Sequence, residues 1–270
     1  MESDGNGHKC NEPPFKKQKL GNKVHKSPKK RLELSPHKSS KQFIYGNYSR
    51  YYGYRNLKDF QDVRLTALEK HPDLFMGKKI LDIGCNSGMI TMEIAKKFDI
   101  QHITGIDIDE NLVNRAIKFV QKIRRGFKGE SRAGFPFNIS FVHGNYVLID
   151  DVLLEIERAQ FDLILCLSVT KWVHLNFGDV GMKQAFKRMF LQLKPGGRLI
   201  LEAQPWLNYK RRKKLTPQIL QNYNSIKFLP SDFTSYLLEP EVGFSEVYEI
   251  KVPPHCVKGF RRPIHVFIKE

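Results

Sequence analysis

The chain is poor in the residues that staple or anchor a protein. Its four cysteines, Cys10, Cys85, Cys166 and Cys256, lie far apart with no Cys-x-x-Cys pair, which fits free thiols in a reducing compartment better than a disulfide frame or a zinc site. No apolar run approaches the roughly 18 residues that a membrane span needs, and the first twenty residues lack the apolar core of a signal peptide. The expectation is a soluble, non-secreted protein with no membrane partner and no metal. Acidic residues are scarce as well: 28 Asp and Glu face 45 Lys and Arg, a net charge of +17 over 270 residues. A merely basic protein would show that balance, and so would one that binds a polyanion. Apolar residues at 41%, with 11% aromatics, exclude a wholly disordered chain.

The charge is unevenly distributed. Residues 1–41 hold eleven Lys and Arg against four Asp and Glu, with four prolines and little to bury, so this segment reads as a disordered basic tail. Its short clusters at 16–19 and 29–31 suit an import receptor or a nucleic acid, which points to the nucleus, and Ser27-Pro28 and Ser35-Pro36 are candidate phosphorylation sites. The rest of the chain still carries +10 and reads as one folded domain, 42–270.

Short β-like runs alternate with helical ones in that domain. Strands are expected at 78–83, 102–107, 139–143, 161–167 and 198–202, and helices at 89–98, 110–125 and about 182–193. The run 161–167, apolar but for Asp162, is that of a strand covered on both faces, and Lys194-Pro195-Gly196-Gly197 stops the last helix. Strand and helix in alternation, with short connections, imply an α/β fold with a Rossmann-like, doubly wound, mostly parallel sheet.

The first strand runs into Asp82-Ile83-Gly84-Cys85-Asn86-Ser87-Gly88 and then a helix. Gly84 would let a ligand meet the backbone and Gly88 would let the helix approach the strand, yet a plain tight turn explains the glycines equally well. The second strand ends in Asp107, 19 residues beyond Gly88, near the separation of roughly 20 at which an acidic residue meets ribose hydroxyls. An adenosine ligand follows, either NAD or S-adenosylmethionine. Gly-x-Asn-x-Gly behind the acidic Asp82 departs from the Gly-x-Gly-x-x-Gly that a pyrophosphate requires. Asn145-Tyr146 after the third strand could offer adenine a hydrogen-bonding partner and a flat wall. Both observations favour S-adenosylmethionine.

The strings Tyr45-Gly46-Asn47-Tyr48, Gly144-Asn145-Tyr146-Val147, Thr170-Lys171-Trp172-Val173-His174-Leu175-Asn176 and Gln204-Pro205-Trp206 resemble the bicoid-interacting family of RNA methyltransferases. The resemblance runs from about Phe43 to the carboxyl end, and the Thr170–Asn176 string is its most specific part. It implies a class I fold that converts S-adenosylmethionine to S-adenosylhomocysteine while methylating the γ-phosphate at the 5′ end of a small nuclear RNA of the 7SK type. The alternatives are a relative acting on 5′-monophosphates and an RNA-binding scaffold with little turnover. A La-related protein partner and a monomeric state are also implied. The stretch from Arg124 to Phe137 is much shorter than the insert that capping enzymes carry there.

At the cofactor, the resemblance implies Tyr52, Arg64 on the ligand carboxylate, Gly84, Cys85 and Asn86 along the methionine, Asp107 and Ile108 at ribose and adenine, Asn145 and Tyr146 beside adenine, and Leu167 at the sulfonium. The tyrosine-rich segment before the first strand, Tyr45 to Tyr54, could be a packed amphipathic cover, and the resemblance implies a lid over cofactor and acceptor with Tyr51 toward the phosphate. A phosphate oxygen is already an anionic nucleophile, so transfer requires alignment and charge neutralisation rather than a general base. Lys171 and His174 follow the fourth strand and are candidate phosphate donors, with an exposed loop charge and a structural histidine as the competing roles. Trp172 could stack on the first base or fill the core. Lys210, Arg211 and Arg212, in a run of five positive charges, suit an RNA backbone or a solvated helix start.

Overall fold

The computed structural model describes residues 43–48, 62–129, 133–252 and 262–270. The tail 1–41 and the tyrosines Tyr51 and Tyr52 lie outside the described residues.

Helix α1 (Val63–Leu68) starts on Asp62, whose side chain accepts from the Arg64 amide, as a helix N-cap does. Then follow β1 (Lys79–Ile83), α2 (Met89–Lys97), β2 (His102–Asp107), α3 (Glu110–Gly126) and β3 (Ile139–His143). The chain continues through β4 (Phe161–Leu167), α4 (Thr170–Gln192) and β5 (Leu193–Glu202) to α5 (Pro217–Ser225) and α6 (Phe233–Leu238), and closes with β6 (Glu246–Ile250) and β7 (Ile264–Ile268). The strand order is β3-β2-β1-β4-β5-β7-β6, with β7 antiparallel to both neighbours and the rest parallel.

The apolar stretch 163–167 of β4 has a direct reason. Leu163, Leu165 and Leu167 pack into one core with α2 and α3 residues, while Ile164 and Cys166 pack into the other with α4 and α6 residues. Fully burying each such side chain contributes about 1.5–3 kcal/mol, so a strand between two helical layers retains no polar face. The sheet order reverses between β1 and β4, and the carboxyl ends of these two strands diverge into a crevice there.

Several elements differ from the sequence reading, which did not include α1, α5 or α6. Helix α4 begins at Thr170 rather than near residue 182, and is broken at Gly178, where φ is 65°. The Lys194–Gly197 turn is drawn into β5. Strands β6 and β7 were not foreseen, and they turn the far edge of the sheet antiparallel.

Candidate active site

A pocket opens at the β1/β4 divergence. Its wall takes in Asp82, Gly84, Cys85, Asn86, Ile106, Asp107, Ile108, Asn145, Tyr146 and Leu167, along with Trp172 and the strap Tyr45-Gly46-Asn47. Ten of the sequence-derived cofactor candidates therefore meet at one place, Arg64 being the tenth with Asp82, Gly84, Cys85, Asn86, Asp107, Ile108, Asn145, Tyr146 and Leu167.

Asp107 ends β2 and is 9% exposed. Its Oδ2 accepts from the Asn86 amide at 2.8 Å and its Oδ1 from the Asp109 amide at 2.9 Å. Each oxygen keeps a further lone pair, so the carboxylate is aimed by backbone and can still accept two hydroxyls. Burial raises its pKa, and the surrounding backbone amides, those of Asp109 and Asn86 foremost, oppose that rise. Asp82, at the foot of the pocket, accepts from Thr91 Oγ1 at 2.6 Å, and burial lifts it to about 6.

Gly84 has φ +70°, and a Cβ there would come within 2.5 Å of Val169 Cγ2. The missing side chain thus admits the β4–α4 turn rather than a ligand. A Cβ on Gly88 would meet the Phe141 ring, so this glycine serves helix-to-strand packing and lies outside the pocket wall. Burial holds the Cys85 thiol well above its ordinary pKa, which suits the packing role expected of it.

Residues 43–48, the described part of the tyrosine-rich segment before the first strand, run beside the pocket as a strap. Gly46, at φ +72°, sits so close to Trp172 that a Cβ would fall 2.1 Å from Nε1. Asn176 donates to Ile44 O, Asn47 donates to Asp109 Oδ2, and Asn86 Nδ2 reaches Tyr48 O at 3.4 Å. The strap is thereby stitched to α4 on one side and to the β1 and β2 loops on the other. Asn47 Oδ1 is buried at the pocket and meets no donor among the described residues.

Several assignments require correction. His174 is fully buried; its Nε2 lies 2.7 Å from Asp179 Oδ1, and its Nδ1 3.4 Å from Tyr209 Oη. Burial lowers its pKa against the opposing pull of Asp179, and Asp179 also accepts from the Lys227 and Phe228 amides. Both nitrogens are therefore engaged away from the pocket, and His174 ties α4 to the segment before α6 instead of donating to a phosphate. Trp172 is 8% exposed, with Gly46 and Tyr48 against it, so it walls the pocket rather than presenting a face to a base. Tyr146 Oη donates to Gln192 Oε1, and Arg188 lies 4.7 Å from its ring centroid and donates to its carbonyl. The hydrogen-bonding end of Tyr146 thus points into the protein, and Asn145 Oδ1 accepts from the Val147 amide.

Arg64 lines the pocket, but its two-pronged face is taken by Asp62, with Nε to Oδ1 at 3.0 Å and Nη2 to Oδ2 at 2.8 Å. Its Nη1 reaches Glu202 at 3.1 Å. Arg262 Nη1 meets the same Glu202 at 3.0 Å and Ser168 Oγ at 2.8 Å. The bidentate partner of Arg64 is therefore a neighbour in the fold, not a ligand carboxylate. No short motif signalled this network, because Asp62, Ser168, Glu202 and Arg262 are scattered along the chain.

Lys171, at the start of α4, places its ammonium 4.3 Å from the Trp172 ring centroid. Lys210, Arg211 and Arg212 are exposed beyond β5, with the Arg212 guanidinium 5.4 Å from the Tyr48 ring. The basic run therefore adjoins the strap.

Residues 161–269 match the family described as Bicoid-interacting protein 3 (Bin3), and residues 80–197 match that described as Methyltransferase domain. The U6 snRNA methylphosphate capping enzyme Amus of Drosophila melanogaster is 58% identical over 248 residues, which cover 90% of this chain and 82% of that protein. The 7SK snRNA methylphosphate capping enzyme of Homo sapiens is 39% identical over 280 residues, and the match covers 86% of this chain but 40% of that protein. Among solved structures, the N-methyltransferase NodS of Bradyrhizobium japonicum, in complex with S-adenosyl-L-homocysteine, superposes with a TM-score of 0.50 at 17% identity, covering 76% of this chain and 84% of its own; the likeness is one of fold. The 58% identity across most of both chains, together with the family pattern from β4 to β7, makes this chain a member of the Bin3 family of methyltransferases.

Proposed function

We propose that the protein transfers a methyl group from S-adenosylmethionine to the 5′-terminal γ-phosphate of a small nuclear RNA. The observation that carries this reading is the Asp107 carboxylate, aimed by two amides into a pocket at the sheet's switch point, in a chain of the Bin3 family. The pocket's chemistry fits the cofactor: Asp107 would accept ribose hydroxyls, the orphaned Asn47 Oδ1 would take an adenosyl or amino donor, and Asp82 supplies negative charge near a cationic ligand. When bound, S-adenosylmethionine supplies an electrophilic methyl group on a sulfonium.

The chain's own residues supply alignment. Trp172 and the strap line the pocket and would shield the reacting centre from water. Lys171 offsets phosphate charge without abstracting a proton, since the attacking oxygen is already anionic. Positioning of this kind contributes up to about 7–11 kcal/mol in favourable systems. Lys210, Arg211 and Arg212 hold the RNA backbone, supported by their exposure and the basic balance of the chain. Tyr51 and Tyr52 belong to the same cover in this reading, with Tyr51 toward the phosphate and Tyr52 toward the cofactor. The protein acts as a monomer in the nucleus, with a La-related protein as the partner that the family likeness suggests, and residues 1–41 serve as its basic tail.

Matched RNAs ending in 5′-triphosphate, 5′-monophosphate and 5′-hydroxyl, incubated with labelled methyl donor, test the reading. Label on the triphosphate alone is expected. Preference for the monophosphate would move the assignment to the alternative acceptor, and label on a base or on the hydroxyl RNA would overturn phosphate specificity.

A further inference from the structure

Beyond Leu167 the chain makes one tight turn into α4. Ser168 adopts φ +63°, a left-handed conformation that non-glycine residues rarely hold unless their surroundings impose it. Ser168 and Val169 line the pocket, and Lys171 follows two residues later.

One side chain holds this turn from across the sheet. Gln204, two residues past the end of β5 and 3% exposed, donates from Nε2 to Ser168 O. Its Oε1 accepts from Thr170 Oγ1 at 3.1 Å and from the Lys171 amide at 3.1 Å. The partners fix the orientation of the carboxamide, since a carbonyl only accepts and an amide N–H only donates. A buried carboxamide meets both demands at once, which an ionised carboxylate or an ammonium cannot do. Ser168 is also held through its hydroxyl, which donates to Glu202 Oε2 at 2.8 Å and accepts from Arg262 Nη1 at 2.8 Å.

We propose that Gln204 is a positioning residue for methyl transfer: its carboxamide sets the Ser168–Lys171 turn, and through that turn the placement of Lys171 beside the acceptor phosphate. The inference rests on the proposed phosphate methylation and deepens it. The buried charges behind Ser168 anchor the same turn from its other side, so Gln204 controls the end of the turn nearest Lys171. A displacement of about 1 Å at such a point lowers transfer on the order of a hundredfold.

Two variants of the full chain test this with 5′-triphosphate RNA in single-turnover transfer. Gln204→Leu, of similar size and without polar atoms, should lose about a hundredfold in transfer rate while S-adenosylhomocysteine affinity, by calorimetry, stays within about twofold. Gln204→Glu should transfer poorly at pH 8, where the carboxylate faces the Ser168 carbonyl. As pH falls and the acid regains an O–H to donate, its rate relative to wild type should rise. Taking that ratio cancels the titration of the substrate phosphate. Normal transfer by Gln204→Leu, or a ratio for Gln204→Glu that does not change with pH, would overturn the proposal. A wild type that methylates no RNA end refutes the functional reading instead. Amide exchange then decides the positioning claim: the Lys171 N–H must exchange faster in Gln204→Leu while the β4 amides do not, and equal exchange rejects it.

Discussion

Two carboxylates, Asp107 and Asp82, sit within one pocket and do different work because their surroundings differ. Asp107 has two backbone amides and faces the ligand space, whereas Asp82 has one hydroxyl partner and lies deeper. Asp107→Ala removes the ribose acceptor and should weaken S-adenosylhomocysteine binding by about 2 kcal/mol, roughly thirtyfold, as a hydrogen bond to a charged group is worth about 1.5–3 kcal/mol. Calorimetry checks it, with an unchanged melting profile as the control. Asp82 has a folded pKa near 6 against an ordinary 3.8, so between about pH 4 and 6 the folded protein binds a proton that the unfolded chain lacks. Stability on that account is highest below the window and falls as pH rises through it. Asp82→Asn keeps an acceptor for Thr91 and should raise stability at pH 7 by about 2–3 kcal/mol, with the gain vanishing toward pH 4. Urea unfolding across that range reads the difference directly.

At the scale of elements, the strap and α4 decide access to the pocket. Gly46 is left-handed and pressed against Trp172, so Gly46→Ala pushes the strap outward. Faster S-adenosylhomocysteine dissociation, about tenfold in stopped-flow, is the expected outcome, with the melting temperature little changed since the strap lies outside the two main cores. His174 belongs to the packing of α4. His174→Ala leaves a void and removes one hydrogen-bond partner each from Asp179 Oδ1 and Tyr209 Oη, and should cost about 2–4 kcal/mol of stability. Transfer per folded molecule should stay within about threefold; loss of transfer without loss of stability would return the histidine to the chemistry. The start of α4 was illegible in the sequence for a physical reason. Trp172, Val173, His174 and Leu175 follow one another along the chain and are all buried, so buried residues fall around the helix and no single-face periodicity marks it, and Gly178 interrupts what remains.

Over the whole molecule, the excess of positive charge acts on association more than on folding. Replacing Lys210 and Arg211 with Ala should lower the salt dependence of RNA binding, reducing the slope of log K against log salt by roughly one to two while leaving S-adenosylhomocysteine affinity intact. Filter binding at several salt concentrations measures it, and an unchanged slope would remove these residues from the RNA path.

By itself the sequence determined the five parallel strands, the turn at residues 84–88 and the acid that ends β2, because these depend on local periodicity and on spacing within one strand-helix-strand unit. Tertiary structure alone decided which charges and hydrogen bonds are already engaged. Arg64 is paired with Glu202, 138 residues away, and His174 with Tyr209, 35 away, so their apparent availability in the sequence was an artefact of unseen partners. The same holds for the antiparallel β6–β7 edge and for the Gln204 contacts, which arise only when β5 lies beside β4. Hydrogen bonding is short-ranged in space and indifferent to distance along the chain, so a motif can name a residue's chemistry while the fold determines whether that chemistry is free to act.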